Sequence, residues 1–261
     1  DTVIIQKAGD VIPEVVEVLK DLRNGKEKRF KMPLRCPVCN GAIIRPKGEV
    51  IRRCINKKCY AIHQHQLEHF VSRAAFDIDG LGEKVIEQLI QSKLIEDPSD
   101  IFTLEYSTLL HLDLFKDKKA QNLLDSIEKA KIIPLPRFLF AIGMRFVGAE
   151  TADFLANHLI LTTHLITLKK GQKKEQLTLF QEEDKSKTIE VAEIKELIKE
   201  LKSISLDELK DIEGIGDKVA ESIHEWINDE KNQKYLEKLQ RGGVKLRVNA
   251  TKRTEKLKNK T

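Results

Sequence analysis

The stretch Phe76-Asp-Ile-Asp-Gly80-Leu-Gly82-Glu-Lys84-Val-Ile-Glu-Gln-Leu-Ile90 decides the fold. One glycine lies on each side of Leu81, and apolar residues at helical spacing follow directly. Because glycine adopts positive φ without steric cost, Gly80 and Gly82 predict a tight turn between two helices. Backbone amides at the start of the second helix can hold a phosphate oxygen, and Lys84 adds positive charge. The stretch therefore predicts a hairpin that grips phosphates without reading bases.

The same order of residues recurs along the chain, which a lone Gly-x-Gly cap between packed helices would not explain. Residues 209–223 repeat it near the C-terminus. A further copy covers residues 140–152, where Val147-Gly148 closes the turn. The residues expected to contact phosphates at the three glycine-containing hairpins are Gly80, Gly82, Lys84, Gly143, Arg145, Gly148, Gly214, Gly216 and Lys218.

A fourth copy, residues 112–124, keeps the hydrophobic spacing but has no hairpin glycine. We expect this copy to pack against the others rather than bind, with Lys118 and Lys119 adding only charge. Together the four copies predict a helix-hairpin-helix repeat and a mainly α fold.

All four cysteines lie ahead of the repeat, as Cys36-Pro-Val-Cys39 and Cys54-Ile-Asn-Lys-Lys-Cys59. Two such pairs complete the tetrahedral sulfur shell that Zn²⁺ prefers. Two β-capable runs between the pairs, residues 42–44 and 49–52, predict a small β zinc ribbon. Disulfides or unrelated thiols are the alternative, but no secretory segment is evident. A closed four-sulfur site leaves no open position for water, so the zinc is expected to be structural.

Charge is spread unevenly along the 261 residues, whose formal net charge is +5. Residues 1–60 contain fourteen Lys or Arg against seven Asp or Glu, and residues 250–261 contain five against one. A basic front module suits phosphate backbones, although a solvated lysine-rich surface explains the charge equally well. No apolar run is long enough to span a membrane, so we expect a soluble, cytoplasmic protein without a membrane partner.

A zinc ribbon and four hairpin copies, preceded by Lys7-Ala-Gly-Asp-Val-Ile-Pro13, resemble the C-terminal half of bacterial NAD-dependent DNA ligase. The resemblance implies that residues 1–30 supply the last strands of an oligonucleotide-binding (OB) barrel, with Lys7 at the DNA. It also implies that Val11 and Ile12 press against the minor groove at a nick, although they could instead fill the barrel. The expected partner is nicked double-stranded DNA, bound by a nucleoid-associated monomer.

The resemblance also bears on catalysis. Ligases of this family form an adenylated lysine in a Lys-x-Asp-Gly motif, whereas the Asp-Gly of this chain, Asp79-Gly80, belongs to a hairpin. NAD and Mg²⁺ are therefore expected only in a missing adenylation domain, and a BRCT domain is expected to be missing too. This chain should clamp DNA while another domain seals single-strand breaks in replication and repair. The alternative is a non-enzymatic DNA-binding adaptor that recruits a sliding clamp.

A polar segment, residues 169–192, is longer than a normal helix connection and is expected to be a mobile insertion. It contains Gln176-Leu177-Thr-Leu179-Phe180, which resembles the short peptide by which bacterial replication and repair proteins dock on the sliding clamp. Exposed apolar residues of this kind favour a pocket on a partner. The alternative is that Leu177, Leu179 and Phe180 pack on the neighbouring helix.

These features divide the chain into six segments. They are the end of the OB fold at 1–30, a four-cysteine zinc finger at 31–64, a first helix-hairpin-helix part at 65–168, the insertion at 169–192, a last helix-hairpin-helix part at 193–248 and a disordered Lys-rich tail at 249–261.

Overall fold

The computed structural model describes residues 1–9, 11–46, 49–56, 58–168 and 187–248. The chain forms two compact units, Asp1–Cys59 and Tyr60–Thr261. The sequence-predicted clamp peptide, Gln176 to Phe180, and the Lys-rich tail lie outside the described residues. Across the described ranges, no helix is both long enough and apolar enough to cross a membrane.

The first unit contains two small antiparallel hairpins. β1 (Val3–Ala8) pairs with β2 (Ile12–Val18), and a short 3₁₀ helix, Lys20–Leu22, follows. β3 (Ile43–Ile44) pairs with β4 (Arg53–Cys54). The sequence predicted the second ribbon strand at residues 49–52. In the structure the chain bends at residues 50 and 51, and the strand, β4, begins only at Arg53.

Very little of this first unit is buried. Among its described residues only Cys36 and Cys59 are buried, and both belong to the cysteine quartet. Apolar side chains of the β1–β2 hairpin, such as Ile5 and Val15, are largely exposed. A two-stranded hairpin is at best marginally stable by itself in water, so apolar burial does not hold this unit together.

The second unit is built mainly from helices, which confirms the mainly α fold expected from the repeats. Its elements are α1 (Tyr60–Val71), α2 (Glu83–Gln91), α3 (Tyr106–Leu109), α4 (Asp117–Ala130), β5 (Ile132–Pro134), α5 (Leu135–Ala141), α6 (Ala149–His158), β6 (His164–Leu168), β7 (Lys187–Ala192), α7 (Ile194–Ser203), α8 (Leu206–Lys210), α9 (Asp217–Asn228), α10 (Glu230–Arg241) and β8 (Lys245–Arg247). A 3₁₀ helix, Pro98–Thr103, lies between α2 and α3. The first helix begins at Tyr60, earlier than the helical pattern that we read from His65.

Four pairs of consecutive helices are joined by short hairpins. They are α1–α2, α3–α4, α5–α6 and α8–α9. Each hairpin coincides with one of the sequence copies, including the copy that has no glycine. The repeat expected from the sequence is therefore present as four helix-hairpin-helix motifs in one unit.

A four-stranded sheet, in the order β5-β8-β7-β6, was not expected from the sequence. β5 runs parallel to β8, whereas β7 is antiparallel to both β8 and β6. Residues 187–192, which the sequence assigned to the polar insertion, form β7, and Val191 and Ala192 are fully buried. Leu246 of β8, opposite Ile133 and Ala192, is buried as well.

The core of the second unit is a continuous cluster of buried aliphatic and aromatic side chains contributed by its helices and by β5, β7 and β8. Phe70 stacks on Phe76 with ring centroids 4.2 Å apart, and Phe102 and Phe138 complete an aromatic group around them. Burial of this kind is the main favourable contribution to folding, so this unit is stabilised by apolar packing.

Candidate metal centre and nucleic-acid interface

The four cysteines converge on one point in the first unit. Their Sγ atoms all lie within 4.8 Å of one another. Cys36 and Cys59 are 3.8 Å apart at sulfur, and Cys39 and Cys54 are 3.5 Å apart. Those distances are too long for disulfides, whose sulfurs are about 2.0 Å apart. They suit a tetrahedron around Zn²⁺, where bonds of about 2.3 Å give sulfur separations of about 3.8 Å.

Backbone hydrogen bonds and one left-handed residue form the turn that carries the first cysteine pair. Asn40 has φ +55°, a left-handed conformation that asparagine tolerates, and its amide donates to the Cys36 carbonyl at 2.9 Å. The Cys36 amide in turn donates to the Gly41 carbonyl at 2.8 Å. A Cβ on Gly41 would approach the Cys39 sulfur to 3.2 Å, so this position favours glycine. The turn thereby holds both thiols on one side.

The second pair is brought back by the ribbon strands. Ile43 lies opposite Cys54 in the β3–β4 ladder, and the amide of Ile55 donates to the carbonyl of Ala42. The Cys59 amide donates to the Asn56 carbonyl at 2.9 Å, which closes a second turn. Two turns and one ladder therefore fix all four ligands without a contribution from apolar burial.

The thiols of the quartet influence each other's ionisation. A hydrogen bond from the Asn56 side chain lowers the pKa of Cys39 to about 6. A backbone hydrogen bond from Asn56 also favours the Cys54 thiolate, but desolvation and the sulfurs of Cys39 and Cys36 outweigh it and raise the pKa of Cys54 to about 12. Four thiolates this close require a cation between them. The donor set is therefore that of a closed, structural zinc site, which binds zinc and has no open position for catalysis.

The second unit carries its candidate DNA-binding elements at the four hairpin turns. One position in each turn has a left-handed backbone: Gly80 at φ +93°, Leu114 at +62°, Phe146 at +65° and Gly214 at +83°. Two residues later the chain is extended, at Gly82, Lys116, Gly148 and Gly216, and the second helix starts. All four turns therefore share these two backbone positions, whether or not they contain glycine, while the first and third turns have a further left-handed residue, Asp77 and Gly143.

The helices that follow these turns begin without side-chain caps. Within the described residues no side chain caps the first turn of α2, α4, α6 or α9. The orphan amides of a helix start carry partial positive charge and favour an anion. Lys84, Lys118 and Lys218 each occupy the second position of their helix and are exposed, which adds cationic charge beside those amides.

The third hairpin contains two left-handed residues. Gly143, which the sequence predicted to contact phosphates, lies just after α5 with φ +71°. The position equivalent to Gly80 is held by Phe146, and only Gly148 matches a hairpin glycine, Gly82. The Arg145 guanidinium lies 4.6 Å from the centre of the Phe146 ring. Glycine spacing alone did not reveal this register, whereas alignment on the apolar residues Met144 and Val147 does.

Neighbouring hairpins are joined in pairs by specific contacts. The amide of Asp79, in the first turn, donates to Ser126 Oγ on α4 at 2.8 Å. Ser222 Oγ, on α9, donates to the Arg145 carbonyl in the third turn at 2.8 Å. A Cβ added to Gly214 would overlap the ring of Phe154 on α6. The first and second hairpins, and likewise the third and fourth, are thus held against one another.

A groove of about 540 Å³ runs along the first pair of hairpins. It is lined by Gly80, Leu114 and Leu123 and by three lysines, Lys116, Lys118 and Lys119. Lys119 also lies over the Phe115 ring, 4.1 Å from its centre. The copy that we expected only to pack therefore contributes both an exposed apolar side chain and most of the positive charge to this groove.

At the N-terminus, the turn between β1 and β2 presents the residues expected at a nick. Val11 is 76% exposed and Ile12 is 75% exposed, and Lys7 lies opposite Pro13 at the same end of the hairpin. Neither apolar side chain fills a core within the described residues.

Comparisons with known proteins agree with this geometry. The family model for the NAD-dependent DNA ligase C4 zinc finger domain matches residues 35–61, and the model for the helix-hairpin-helix motif matches residues 189–236. A DNA ligase of Pelotomaculum thermopropionicum is 40% identical to the chain over 244 residues, and a DNA ligase of Bacillus licheniformis is 38% identical over 244 residues. In both cases the match covers 94% of this chain and 31% of the relative.

The chain thus spans about a third of the length of the ligases that it matches. The similarity includes both the zinc ribbon and the helical repeat. Since DNA ligases match nearly the whole chain and the model of the ligase zinc finger matches residues 35–61, the chain corresponds to the zinc-finger and helix-hairpin-helix region of NAD-dependent DNA ligases.

Proposed function

We propose that this chain is the part of an NAD-dependent DNA ligase that binds nicked duplex DNA independently of sequence. The observation that carries the proposal is the shared geometry of the four hairpins. Each combines a left-handed tip with an uncapped helix start, and lysines stand at the second helical position in three of them. Such elements hold phosphate oxygens through backbone amides and carry no means of distinguishing bases.

In this proposal the phosphate contacts are made by Gly80, Gly82, Lys84, Gly143, Arg145, Gly148, Gly214, Gly216 and Lys218. Lys7, Val11 and Ile12 meet the DNA from the β1–β2 hairpin, which supplies the last strands of an OB barrel. The exposed apolar residues of that hairpin support further strands from the rest of the ligase. The division of the chain into the six segments given above remains part of this proposal, except that residues 187–192 belong to the helix-hairpin-helix unit as β7.

The chemistry of ligation is proposed to lie in the rest of the ligase. There an adenylated lysine, NAD and Mg²⁺ would activate the 5′ phosphate, and sealing would release AMP. The residues of this chain contribute binding and position. An adenylation assay of this chain alone should give no lysine–AMP adduct, whereas mixing it with the missing region should restore sealing of a nicked substrate.

The DNA-binding part is tested by fluorescence anisotropy with nicked and intact duplexes of different sequences. We expect tighter binding to the nicked duplex, no dependence on sequence, and an affinity that falls steeply with salt, since phosphate contacts release counterions. Lys84→Ala and Lys218→Ala should each weaken binding for every sequence and reduce the salt slope by about 1.

Lys195 offers a matched control, because it is the exposed second residue of α7, a helix that follows no hairpin. Lys195→Ala should leave both the affinity and the salt slope unchanged. Binding that is insensitive to salt, or that selects one sequence strongly, would contradict the proposal.

Docking on a sliding clamp through Gln176, Leu177, Leu179 and Phe180 is a separate proposal, and it is based on sequence alone. A peptide of residues 172–184 should compete with other clamp ligands, and Phe180→Ala should abolish the competition. If the peptide bound no bacterial clamp at high micromolar concentration, this proposal would be abandoned while the DNA-binding proposal stood.

A further inference from the structure

The tips of the four hairpins are occupied by two different kinds of residue. The left-handed position holds glycine in the first and fourth hairpins, as Gly80 and Gly214, and a large apolar residue in the second and third, as Leu114 and Phe146. A bulky side chain at positive φ is strained, whereas glycine is not. The sequence therefore keeps two unfavourable residues at positions where glycine would relieve the backbone.

Neither of these two side chains is buried in the core. Leu114 is 87% exposed and Phe146 is 50% exposed. The two glycine tips are exposed as well but lie beside a neighbouring hairpin: a Cβ placed on Gly214 would overlap the Phe154 ring, and one placed on Gly80 would contact Leu123 at 3.6 Å. Each pair of hairpins thus has one glycine tip, with no side chain, and one open tip, which carries a large exposed apolar side chain.

Each open tip has at least one cationic side chain beside it. Leu114 lines the same groove as Lys116, Lys118 and Lys119, and residues 113–119 contain three lysines against two aspartates. Asp117 also accepts a hydrogen bond from the Tyr106 hydroxyl at 2.7 Å. Phe146 has the Arg145 guanidinium 4.6 Å from its ring centre. Apolar side chains flanked by cations favour a polyanion over an apolar protein surface.

We infer that Leu114 and Phe146 are wedge residues that enter the minor groove of the bound duplex, one from each pair of hairpins. This inference rests on the proposed binding of duplex DNA. Apolar side chains next to lysine or arginine suit the minor groove, where sugar edges lie between two rows of phosphates and where such wedges unstack a base step. The glycine tips then hold phosphates, and the open tips fix how deeply the protein enters the groove.

Replacing the open-tip residues by glycine separates a binding role from a structural one. Leu114→Gly and Phe146→Gly relieve the left-handed backbone, so the midpoint of thermal unfolding of each variant should be unchanged or higher. If these side chains contact DNA, the affinity for a nicked duplex should nevertheless fall, by roughly fivefold to tenfold for each variant. The slope of log affinity against log salt should stay the same, because no charge is removed.

Ile160 provides the control, since it is exposed and lies beyond the C-terminal end of α6, about 15 Å along the helix from the end that follows Phe146. Ile160→Ser should leave the affinity unchanged. Netropsin, which fills the minor groove of A·T duplexes, should compete with the wild-type chain and compete less with the Leu114→Gly/Phe146→Gly variant.

The outcomes separate this inference from the proposed function. If both glycine variants are at least as stable as the wild type and bind the nicked duplex with wild-type affinity, the wedge role is excluded while DNA binding stands. A wild-type chain that fails to bind any duplex would remove the proposed function and the wedge role together. Reduced affinity that is accompanied by a changed salt slope would also count against the wedge role, because it would indicate lost phosphate contacts.

Discussion

The two units of this chain reach a stable fold by opposite means. In the described residues of the unit Asp1–Cys59, only Cys36 and Cys59 are buried, and both are zinc ligands. The unit Tyr60–Thr261 is packed around a continuous apolar core. The difference shows that one chain can combine a unit held together by four metal ligands with a unit held together by a large apolar core. It also predicts that the two units unfold in response to different treatments.

Loss of zinc should produce the largest difference between them. In small zinc modules the metal contributes about 10 kcal/mol or more of apparent folding free energy at neutral pH. Cys54→Ser should therefore lose zinc and unfold the ribbon, while the helical circular dichroism of the second unit and its thermal transition persist. Zinc content measured by atomic absorption and amide NMR spectra would show this. Ile55→Ser, an exposed neighbour, should retain the metal. A Cys54→Ser protein that keeps its zinc would contradict the comparison.

Truncating a core side chain should destabilise the second unit and leave the zinc-binding first unit unaffected. Phe138 is fully buried within the aromatic group of the second unit. Phe138→Ala should lower the free energy of unfolding of that unit by about 3–5 kcal/mol, because contacts are lost and a cavity remains. Urea unfolding would measure the change, and zinc content should not alter. A matched Ile160→Ala, at an exposed position, should change stability by less than about 0.5 kcal/mol.

Two glycines of the hairpins should respond very differently to the same substitution. Gly214→Ala places a Cβ at φ +83° and against the Phe154 ring, so it should destabilise the second unit by about 1–3 kcal/mol. Gly82→Ala meets no described atom within 4 Å and has φ −77°, so its effect should stay below about 1 kcal/mol. Thermal unfolding of both variants provides the test. Equal effects would mean that the Phe154 ring does not lie against Gly214 as described.

The smallest expected effect concerns pH. Burial raises the pKa of Asp97, but hydrogen bonds from Lys238, at 2.6 Å, and from Ser99 outweigh it and hold that pKa below its usual value. A lowered pKa in the folded state stabilises the fold above about pH 4, and this contribution is lost as the pH falls further. Because the pair is half-exposed, it should contribute less than about 1 kcal/mol. Lys238→Met should flatten the acid limb of the stability profile of the second unit, and an unchanged limb would show that the pair contributes nothing.

Part of this structure could be predicted because its signals are local in the sequence. The cysteine spacing within 36–59 fixes a zinc site by itself, and the Gly-x-Gly turns at 80–82 and 214–216 identify two hairpins. The left-handed positions at Leu114 and Phe146 could not be found in this way, since leucine and phenylalanine do not indicate a positive φ. The shared apolar spacing on either side of each turn was the signal that could have located them.

The sheet of the second unit was missed for a different reason. β5 and β8 are three residues each and come from distant parts of the chain, so neither shows a period of its own. β7 forms the last six residues of the segment that the sequence assigned to the polar insertion, and Lys187 and Thr188 precede its buried residues. Their pairing is decided by tertiary contacts, and strand propensity depends strongly on such context.

The pairing of β6 with β7 has a practical consequence for protein engineering. Leu168 lies opposite Lys187, so these two positions are about 5 Å apart at Cα. The segment that joins them can be shortened or lengthened at small entropic cost, since the cost of closing a chain segment depends only weakly on its length. A fluorescent reporter or an affinity tag grafted within residues 169–186, outside Gln176 to Phe180, should therefore leave the hairpins undisturbed.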